Sequence, residues 1–452
     1  MSELPKGWVE LPLEHVASWG SGGTPKRSEP SYYGGDVPWV KTGDLGPRYL
    51  KEASEYISQL GLEKSSAKLF PKGSVAIAMY GATIGKTSTL DFEASTNQAC
   101  AVGNPIDGVI LTDFLYYFLT SEKQNFIKKG KGGAQPNISQ QLIKAHEIQL
   151  PSLAEQKRIV DKLDEVLAQV GTIKARLDGI PALLKRFRQS VLASAVSGKL
   201  TEEWRIGRSL KQRVTLNLNE VTSHVVDCPH STPKWSNEGR YCVRTTAFNP
   251  FYLDLSGQGY VNDEVFALRT SRLTPEAGDI LYSREGTVGI ACQIPEGVEL
   301  CLGQRMVVIR ANERVDAKYL TIVLNSDHIL RIVRELTIGS TAPRVNMKVI
   351  RDYPIPVPDC IEQKEIVRLV DQYFAFADTI EAQVKKAQAR VDNLTQSILA
   401  KAFRGELVPQ DPNDEPADKL LERIAQARKE AEALAKAAKK AGATKKKVAK
   451  SA

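Results

Sequence analysis

The chain has 452 residues, a net charge of +8, six cysteines and five histidines. This length accommodates two or three domains with separate cores, and the cysteines form no CxxC pair and no zinc-like spacing, which argues against a disulfide-rich or zinc-stabilised fold. No apolar run approaches the ~18 residues of a membrane span and no signal-peptide pattern is present, so we expect a cytoplasmic protein with reduced, mostly buried cysteines.

Residues 1–150 are predicted to form a first globular module that mixes strands and helices. A buried helix is expected at "DFLYYFLTS" (113–121), and a strand with a glycine turn at "KGSVAIAMYGATIG" (72–85). The turn is similar to the phosphate loop GxxxxGK[ST], but three residues instead of four separate Gly81 from Gly85. A structural strand and turn is therefore preferred over the alternative of a nucleotide site.

Residues 151–200 are predicted to form a long helix. Apolar residues recur there at alternating steps of four and three, the pattern of a coiled-coil seam. Gly179 and Pro181 lie inside this helix and are expected to kink or break it. The seam residues are Ile159, Leu163, Val166, Val170, Ile173, Leu177, Ile180, Leu184, Phe187 and Val191.

Residues 201–357 are predicted to form a second module that repeats the first. "AGDILYSREGTVG" (277–289) matches the strand and glycine turn, "KYLTIVLNS" (318–326) matches the buried helix, and "HSTPKWS" (230–236) matches "GGTPKRS" (22–28). The tetrapeptide "NPFY" (249–252) is similar to the catalytic loop of adenine methyltransferases. It lacks the second proline and no cofactor-binding glycine motif accompanies it, so we interpret it as a turn.

Residues 358–407 are predicted to form a second long helix, and nineteen of fifty positions are identical to residues 151–200 at an offset of 207. Two matched seams can pack against each other as an antiparallel coiled coil; two independent amphipathic helices remain the alternative. The second seam comprises Ile366, Val370, Tyr373, Ala377, Ile380, Val384, Ala387, Val391, Leu394 and Ile398.

The remaining residues, 408–452, are predicted to be a basic C-terminal tail, partly helical or disordered. After Glu432 the tail has no acidic residue and seven lysines, so the first 432 residues carry a net charge of only +1. A nucleic-acid surface elsewhere must therefore arise from local patches and not from bulk charge. The tail itself is interpreted as a solvated charge run, with loose phosphate binding as the alternative.

The fold class that these elements predict is α/β, or α+β. Two similar globular modules are joined by two long helices that form an intramolecular antiparallel coiled coil with pseudo-two-fold symmetry. The seam from Ile159 to Val191 extends over roughly 48 Å, and major-groove half-sites one turn apart are separated by about 34 to 36 Å. The expected arrangement would suit two unlike half-sites.

The sequence resembles the specificity subunit of Type I restriction-modification enzymes over about residues 4–407. The matching motifs are "PKGWVELPLEHVAS" (5–18), "LPSLAEQKRIVDKLDEVL" (150–167) and "VDNLTQSILAKAFRGEL" (391–407). The resemblance implies two target-recognition domains that each bind one part of a split DNA sequence, and helices that set the spacer and dock two methyltransferase subunits. It also implies that motor-nuclease subunits can join, that this chain is not catalytic, and that S-adenosylmethionine and ATP with Mg²⁺ bind only in partner subunits.

Polar loops of the modules are the candidate DNA contacts. Arginine suits bidentate contact with guanine, asparagine or glutamine suits adenine, and lysines more often hold phosphates. For each residue a solvated surface role is the alternative. The candidates are Thr24, Lys26, Arg27, Lys41, Thr42, Lys128, Lys131, Lys234, Arg244, Thr245, Arg284, Arg305, Arg344 and Asn346.

Two other functions remain open at this point. One is a coiled-coil protein adaptor without DNA binding, and the other is a self-sufficient methyltransferase or nucleotide hydrolase. In the first long helix, Lys185, Arg186 and Arg188 are expected to point outward, towards spacer phosphates or a partner subunit.

Overall fold

The computed structural model describes residues 4–130, 137–337, 343–416, 418–430 and 433. The chain divides into two compact units. Unit 1 comprises Met1–Ala175 with Gln388–Ala452, and unit 2 comprises Arg176–Ala387. No helix in the described part of the chain is long and apolar enough to cross a membrane.

In its described residues, unit 1 holds eleven strands, four short α-helices between them and a helix at 418–430, together with parts of two long helices. The strands are β1 (Val9–Pro12), β2 (Ala17–Ser21), β3 (Tyr33–Val40), β4 (Tyr49–Leu50), β5 (Tyr56–Ile57), β6 (Leu69–Phe70), β7 (Val75–Ala78), β8 (Thr87–Leu90), β9 (Ala94–Thr96), β10 (Cys100–Pro105) and β11 (Glu147–Leu150). The short helices are α1 (Gln59–Glu63), α2 (Thr112–Ser121), α3 (Lys123–Lys129) and α4 (Gln140–Lys144).

The strands of unit 1 form a five-stranded sheet of order β2-β10-β7-β8-β4, a four-stranded sheet of order β5-β3-β9-β6, and the pair β1-β11. The strand-and-turn prediction at residues 72–85 is confirmed, because β7 and β8 pair antiparallel across a short turn. A phosphate loop would need a helix directly after the turn. Here the next element is β8, so the turn is structural.

Helix α5 (Leu153–Ser197) starts in unit 1 and ends in unit 2. Unit 2 then continues with its own strands and helices. They are α6 (Glu202–Arg205), β12 (Val214–Asn217), β13 (Thr222–Asp227), β14 (Arg240–Val243), β15 (Phe248–Asn249), β16 (Tyr252–Leu253), β17 (Gly259–Val261), α7 (Asp263–Arg269), β18 (Ile280–Ser283), β19 (Ala291–Gln293), β20 (Leu300–Leu302), β21 (Met306–Ala311), α8 (Ala317–Leu324), α9 (Asp327–Thr337), α10 (Met347–Arg351), β22 (Pro354–Val357) and the long helix α11 (Cys360–Ala402).

The sheets of unit 2 repeat those of unit 1. The order β13-β21-β18-β19 corresponds to β2-β10-β7-β8, the order β17-β14-β20 corresponds to β5-β3-β9, and β12-β22 corresponds to β1-β11. The predicted turn at residues 249–252 is confirmed, since it joins β15 to β16, with Phe251 at a φ of 77°. The cysteines are free, and five are buried as expected, but Cys360 is exposed at the start of α11.

The antiparallel pairing of α5 and α11 is confirmed within each unit. In unit 1, Lys174 Nζ lies 2.6 Å from Asp392 Oδ1, and Leu163 shares the core with Ala402. In unit 2, Arg188 lies 2.6 Å from Asp378. Exposed ion pairs like these contribute at most about 1 kcal/mol each, so the buried seam supplies most of the stability.

Most of the predicted seam is buried or half-buried, but three members are not. Ile173, Tyr373 and Leu394 are 46%, 39% and 48% exposed. Between Val170 and Leu184 no residue of α5 is fully buried. In this stretch only two helices pack together, so part of each seam side chain stays exposed to solvent. Nearer the helix ends, the modules also pack on the helices and bury the seam residues. Tyr373 still packs edge-on against Phe187 at 6.0 Å between ring centres.

Two expectations about α5 need correction. The predicted break is wrong, because the helix runs continuously through Gly179 and Pro181. The predicted kink stays a prediction. Proline removes one hydrogen bond, and the helical turns on both sides offset that loss. Arg188 does not point outward; it binds Asp378 and Glu381 of the partner helix.

The repeated Glu-Gln-Lys motif attaches each long helix to its module. Gln156 is fully buried; its Nε2 donates to Val109 O and Pro151 O, both at 3.0 Å, and its Oε1 accepts from Leu111 N at 2.9 Å. Gln363, 1% exposed, donates to Arg314 O and Pro358 O and accepts from Asp316 N. The same three bonds occur twice, which explains why this motif is duplicated while the modules diverge.

Part of the predicted tail belongs to the core of unit 1. Residues 418–430 are helical, and Leu420 and Ile424 are buried in the same cluster as α2. Asp414 accepts from both terminal nitrogens of Arg158 at 3.0 and 2.6 Å. The prediction that the tail is partly helical agrees with residues 418–430, whereas Val408, Leu420 and Ile424 pack on the core of unit 1 and so are not part of a free tail. The lysines from 436 onward lie outside the described residues.

Candidate nucleic-acid interface

In each unit, several strand ends lie at one edge of the sheets, which we call the loop edge. In unit 1 it is the edge at which β2, β3, β7 and β9 end and β10 begins. The paired residues there are Ser21 with Ala101, Ala78 with Cys100, and Val40 with Thr96. The loops that leave this edge carry most of the polar candidates of unit 1.

Arg27 and Lys41 lie together at the loop edge of unit 1. Arg27 Nη2 and Lys41 Nζ bind the same Glu55 oxygen at 3.0 and 3.2 Å, and the Arg27 guanidinium stacks 4.4 Å from the Tyr33 ring. The hydrogen bond from Arg27, with the one from Lys41, holds the pKa of Glu55 below its usual value. An exposed pair of this kind is worth at most about 1 kcal/mol, so phosphates or bases can compete for both cations.

Trp39 anchors the first loop at this edge. Its Nε1 donates to Gly23 O at 2.9 Å, and Arg27 lies 5.2 Å from its ring. The next residue, Thr24, donates its hydroxyl hydrogen to Gln98 Oε1. The structure thus brings Thr24, Arg27 and Lys41 around one buried tryptophan.

The other candidates of unit 1 are more scattered. Lys26 is exposed in the same loop as Arg27, and Thr42 is half-buried beside Lys41. Lys128 is exposed in the last turn of α3. Lys131 lies outside the described residues.

The loop edge of unit 2 is built in the same way. It is the edge at which β13, β14, β18 and β20 end and β21 begins. The paired residues are Asp227 with Val307, Ser283 with Met306, and Val243 with Leu302.

Arg244 follows β14 directly and occupies the place that Lys41 has in unit 1. Its guanidinium lies 5.3 Å from the ring of Trp235, which is 45% exposed. Its backbone N–H donates to Gln258 Oε1 at 3.0 Å. Thr245 is half-buried next to it, and Lys234 is exposed beside Trp235. An exposed arginine on an exposed indole offers both hydrogen bonds and a stacking face.

Arg284 does not fit the prediction of a DNA contact. It is 1% exposed, and its Nε and Nη2 bind both oxygens of Asp227 at 3.0 Å. It also donates to Val345 O at 3.3 Å. Breaking a buried charge pair costs about 3 to 5 kcal/mol. We therefore assign Arg284 to the support of the loop edge.

Arg305 and Arg344 both lie near the turn that follows β18. Arg305 is exposed and has a φ of 72°, and its Nη1 lies close to Gly286. Arg344 is 60% exposed and pairs with Glu285 at 3.3 Å. Asn346 directly precedes α10 and caps it, because its side-chain oxygen accepts from Lys348 N at 3.2 Å. This cap competes with the predicted adenine contact.

The sequence analysis overlooked two glutamines at the loop edges. Gln98 binds Thr24, and Gln304 donates to His230 O, so each glutamine holds the loop that contains the sequence Thr-Pro-Lys. Both are located just before the matching strands β10 and β21. The repeat itself was the available signal, because the two residues lie 206 positions apart, close to the offset of 207 between the two long helices.

The chemistry of both loop edges is that of a binding surface. Cationic, amide and hydroxyl groups lie on the loops of both edges, beside Tyr33 in unit 1 and beside the exposed Trp235 in unit 2. Among the described residues, no group of three or more His, Cys, Asp or Glu side chains is placed to hold a metal ion. Such surfaces position phosphates and contact base edges.

Comparison with known sequences gives a consistent result. Residues 5–182 and 243–388 match the family described as Type I restriction modification DNA specificity domain. The EcoKI specificity subunit of Escherichia coli (strain K12) is 32% identical over 450 residues, covering 93% of this chain and 96% of that protein. The StySPI specificity subunit of Salmonella potsdam is 32% identical over 461 residues, with the same coverage.

Solved structures share the fold. A chain of a type I R-M system aligns over 90% of this chain and 100% of its own length, with a TM-score of 0.63 and 19% identity. The HsdS subunit from Thermoanaerobacter tengcongensis aligns over 89% of this chain and 98% of its own, with a TM-score of 0.54 and 20% identity.

Proposed function

Because this chain belongs to the Type I restriction-modification DNA specificity family, we propose that its two loop edges each bind one half of a bipartite DNA target. The chain is the DNA sequence-specificity subunit of such a system. One observation carries the proposal: the loop edges of the two units are built from corresponding strands, but they carry different polar side chains.

The difference between the two loop edges argues for an asymmetric target. Unit 1 presents Arg27 and Lys41 with Thr24, whereas unit 2 presents Arg244, Arg305 and Arg344. Side chains at equivalent places on the two loop edges would approach equivalent positions of the DNA groove. Where their hydrogen-bond donors and acceptors differ, they select different bases. Two unlike half-sites follow from this difference.

The partners in this proposal are two methyltransferase subunits, with two motor-nuclease subunits in a restricting complex. The chain itself contributes recognition and no catalytic group; S-adenosylmethionine and ATP with Mg²⁺ bind to the partners. Support for docking comes from large apolar side chains that the long helices leave in solvent: Leu183 is 54% exposed and Phe376 is 57% exposed. Such groups are typical of protein interfaces.

The direct test is the methylation pattern of the native cell with and without this gene. We expect an asymmetric split motif that disappears when the gene is removed. A contiguous motif would contradict the proposal. In addition, the DNA affinity of the assembled complex should fall steeply with salt, because several phosphates are neutralised. An assembled complex without measurable DNA affinity would instead favour a protein adaptor.

Single substitutions should change only one half of the motif. Arg27→Ala is expected to relax base preference in one half-site and Arg344→Ala in the other, by roughly 1–3 kcal/mol of lost discrimination. The measurement is the methylation rate of the complex on duplexes with each base replaced in turn. Lys26→Ala is the control: as a phosphate contact it should weaken all duplexes alike and lower the salt slope by about one. Loss in both halves from one substitution would contradict the assignment.

A further inference from the structure

The two copies of the Glu-Gln-Lys motif differ in how their glutamates are satisfied. In unit 2, Glu362 is 2% exposed. Its Oε1 accepts from Thr201 Oγ1 at 2.8 Å, from Arg205 Nη1 at 2.8 Å and from Arg213 Nη2 at 3.0 Å. The chain thus supplies two guanidinium groups for one buried carboxylate, which compensates its charge fully.

The equivalent Glu155 of unit 1 has no such partners. It is 3% exposed, and its Oε1 has no hydrogen-bond partner. The donor next to Glu155 is the neutral indole Nε1 of Trp8, whose approach falls short of an ideal hydrogen bond. Burial raises the pKa of Glu155, and the Trp8 N–H and the charge of Arg158 offset this only in part.

The sequence explains the missing cations. In unit 1 the partners of Glu362 correspond to non-basic residues. At the offset of 207 that relates the two glutamates, Thr201 and Arg205 correspond to Val408 and Pro412. Arg213 directly precedes β12, and because β12 corresponds to β1, its counterpart is Trp8, which directly precedes β1. At these three positions unit 1 therefore offers neither a hydroxyl nor a guanidinium group to Glu155.

Glu155 lines an open cleft of about 530 Å³. The described lining carries five carboxyl groups and one lysine, Lys6. Two of the carboxylates are already paired, Asp414 with Arg158 and Glu415 with Arg423. Asp411 and Asp418 are exposed at the rim. The cleft therefore combines a negative rim with an unpaired carboxyl at its base.

The acidic rim and the buried Glu155 indicate which kind of group can bind in the cleft. A metal ion does not fit, because among residues 4–130, 137–337, 343–416, 418–430 and 433 no suitable group of ligands occurs. A guanidinium group fits, because its planar set of donors binds a carboxylate in the way that Arg205 and Arg213 bind Glu362. The cleft is open to solvent next to the start of α5, so a partner protein can reach it.

We propose that this cleft receives an arginine side chain of a methyltransferase subunit, so that the partner supplies in unit 1 what the chain supplies for itself in unit 2. The proposal rests on the proposed function, which brings that partner to the long helices. It also makes the two units unequal as docking places, because only unit 1 needs the partner's cation.

The test is a pair of matched substitutions in the full chain. Glu155→Gln keeps the shape but removes the charge, and we expect about tenfold weaker binding of the methyltransferase subunit, measured by titration calorimetry. The free variant should melt at the same temperature or higher, because an unpaired buried charge has been removed. Glu362→Gln is the control, and it should melt lower because two arginines lose their partner.

The outcomes separate the alternatives. Equal binding by the wild-type chain and Glu155→Gln overturns the inference alone. Absence of any methyltransferase binding by the wild-type chain overturns the proposed function and the inference with it. A chain ended after Glu430 should bind the partner normally; if it instead reproduces the loss, the lysines of the C-terminal residues are the occupant and the inference is wrong.

Discussion

Replacing Gln156 with alanine should lower the free energy of unfolding by about 3 to 5 kcal/mol. The substitution leaves Val109 O, Pro151 O and Leu111 N buried without their partners. Each such group costs about 1 to 3 kcal/mol, and local relaxation recovers part of the total. A domain has only about 5 to 15 kcal/mol of stability, so this single change removes a large share.

The matched experiments use the second copy and the next residue. Gln363→Ala should cost a similar amount, because it breaks the same three contacts in unit 2. Lys157→Ala should change stability by less than about 0.5 kcal/mol, since Lys157 is exposed and pairs only with Asp161 one turn later. Denaturant unfolding measures all three. A loss below about 1 kcal/mol for both glutamines would show that the motif does not anchor the helices.

Inserting one heptad into each long helix should lengthen the spacer of the methylated motif and leave both half-sites unchanged. Seven residues add about 10 Å of helix, close to three base pairs. The insertions belong after Ala175 in α5 and after Ala387 in α11, so that the seam keeps its period on both helices. Methylome sequencing of cells that carry the variant measures the spacer directly.

The control for this experiment is a heptad in α5 alone. It leaves seven residues of one seam without a counterpart, so the complex should lose methylation of any split motif. A double insertion that methylates the original motif with its original spacing would contradict the role of the helices as a ruler.

The periodic apolar pattern was sufficient to predict the long helices and their antiparallel pairing. It did not predict that Ile173 and Leu394 would be exposed, because a heptad position specifies which face a residue occupies and not what else covers that face. It also did not predict that Pro181 would be tolerated. Whether a proline breaks a helix depends on the stability of the turns around it.

The binding residues were harder to predict than the fold. Arg27 and Arg284 are both arginines in polar loops after strands, yet one is exposed and the other is buried against Asp227. The partner lies 57 positions away in sequence, and no local pattern reveals such a pair. Gln98 and Gln304 carry no charge, so a search for basic residues passed over them; only their places in the repeat distinguish them.

Phe403, which directly follows α11, completes the core of the first module, and this order matters for synthesis on the ribosome. Phe403 packs against Phe114 and Phe118 at 5.2 and 5.3 Å between ring centres. The residues of unit 2 are all translated before Phe403, so the module that is translated first is the last to complete its core. Until then its aromatic surface stays uncovered, and a chain terminated early would expose it to aggregation and proteolysis.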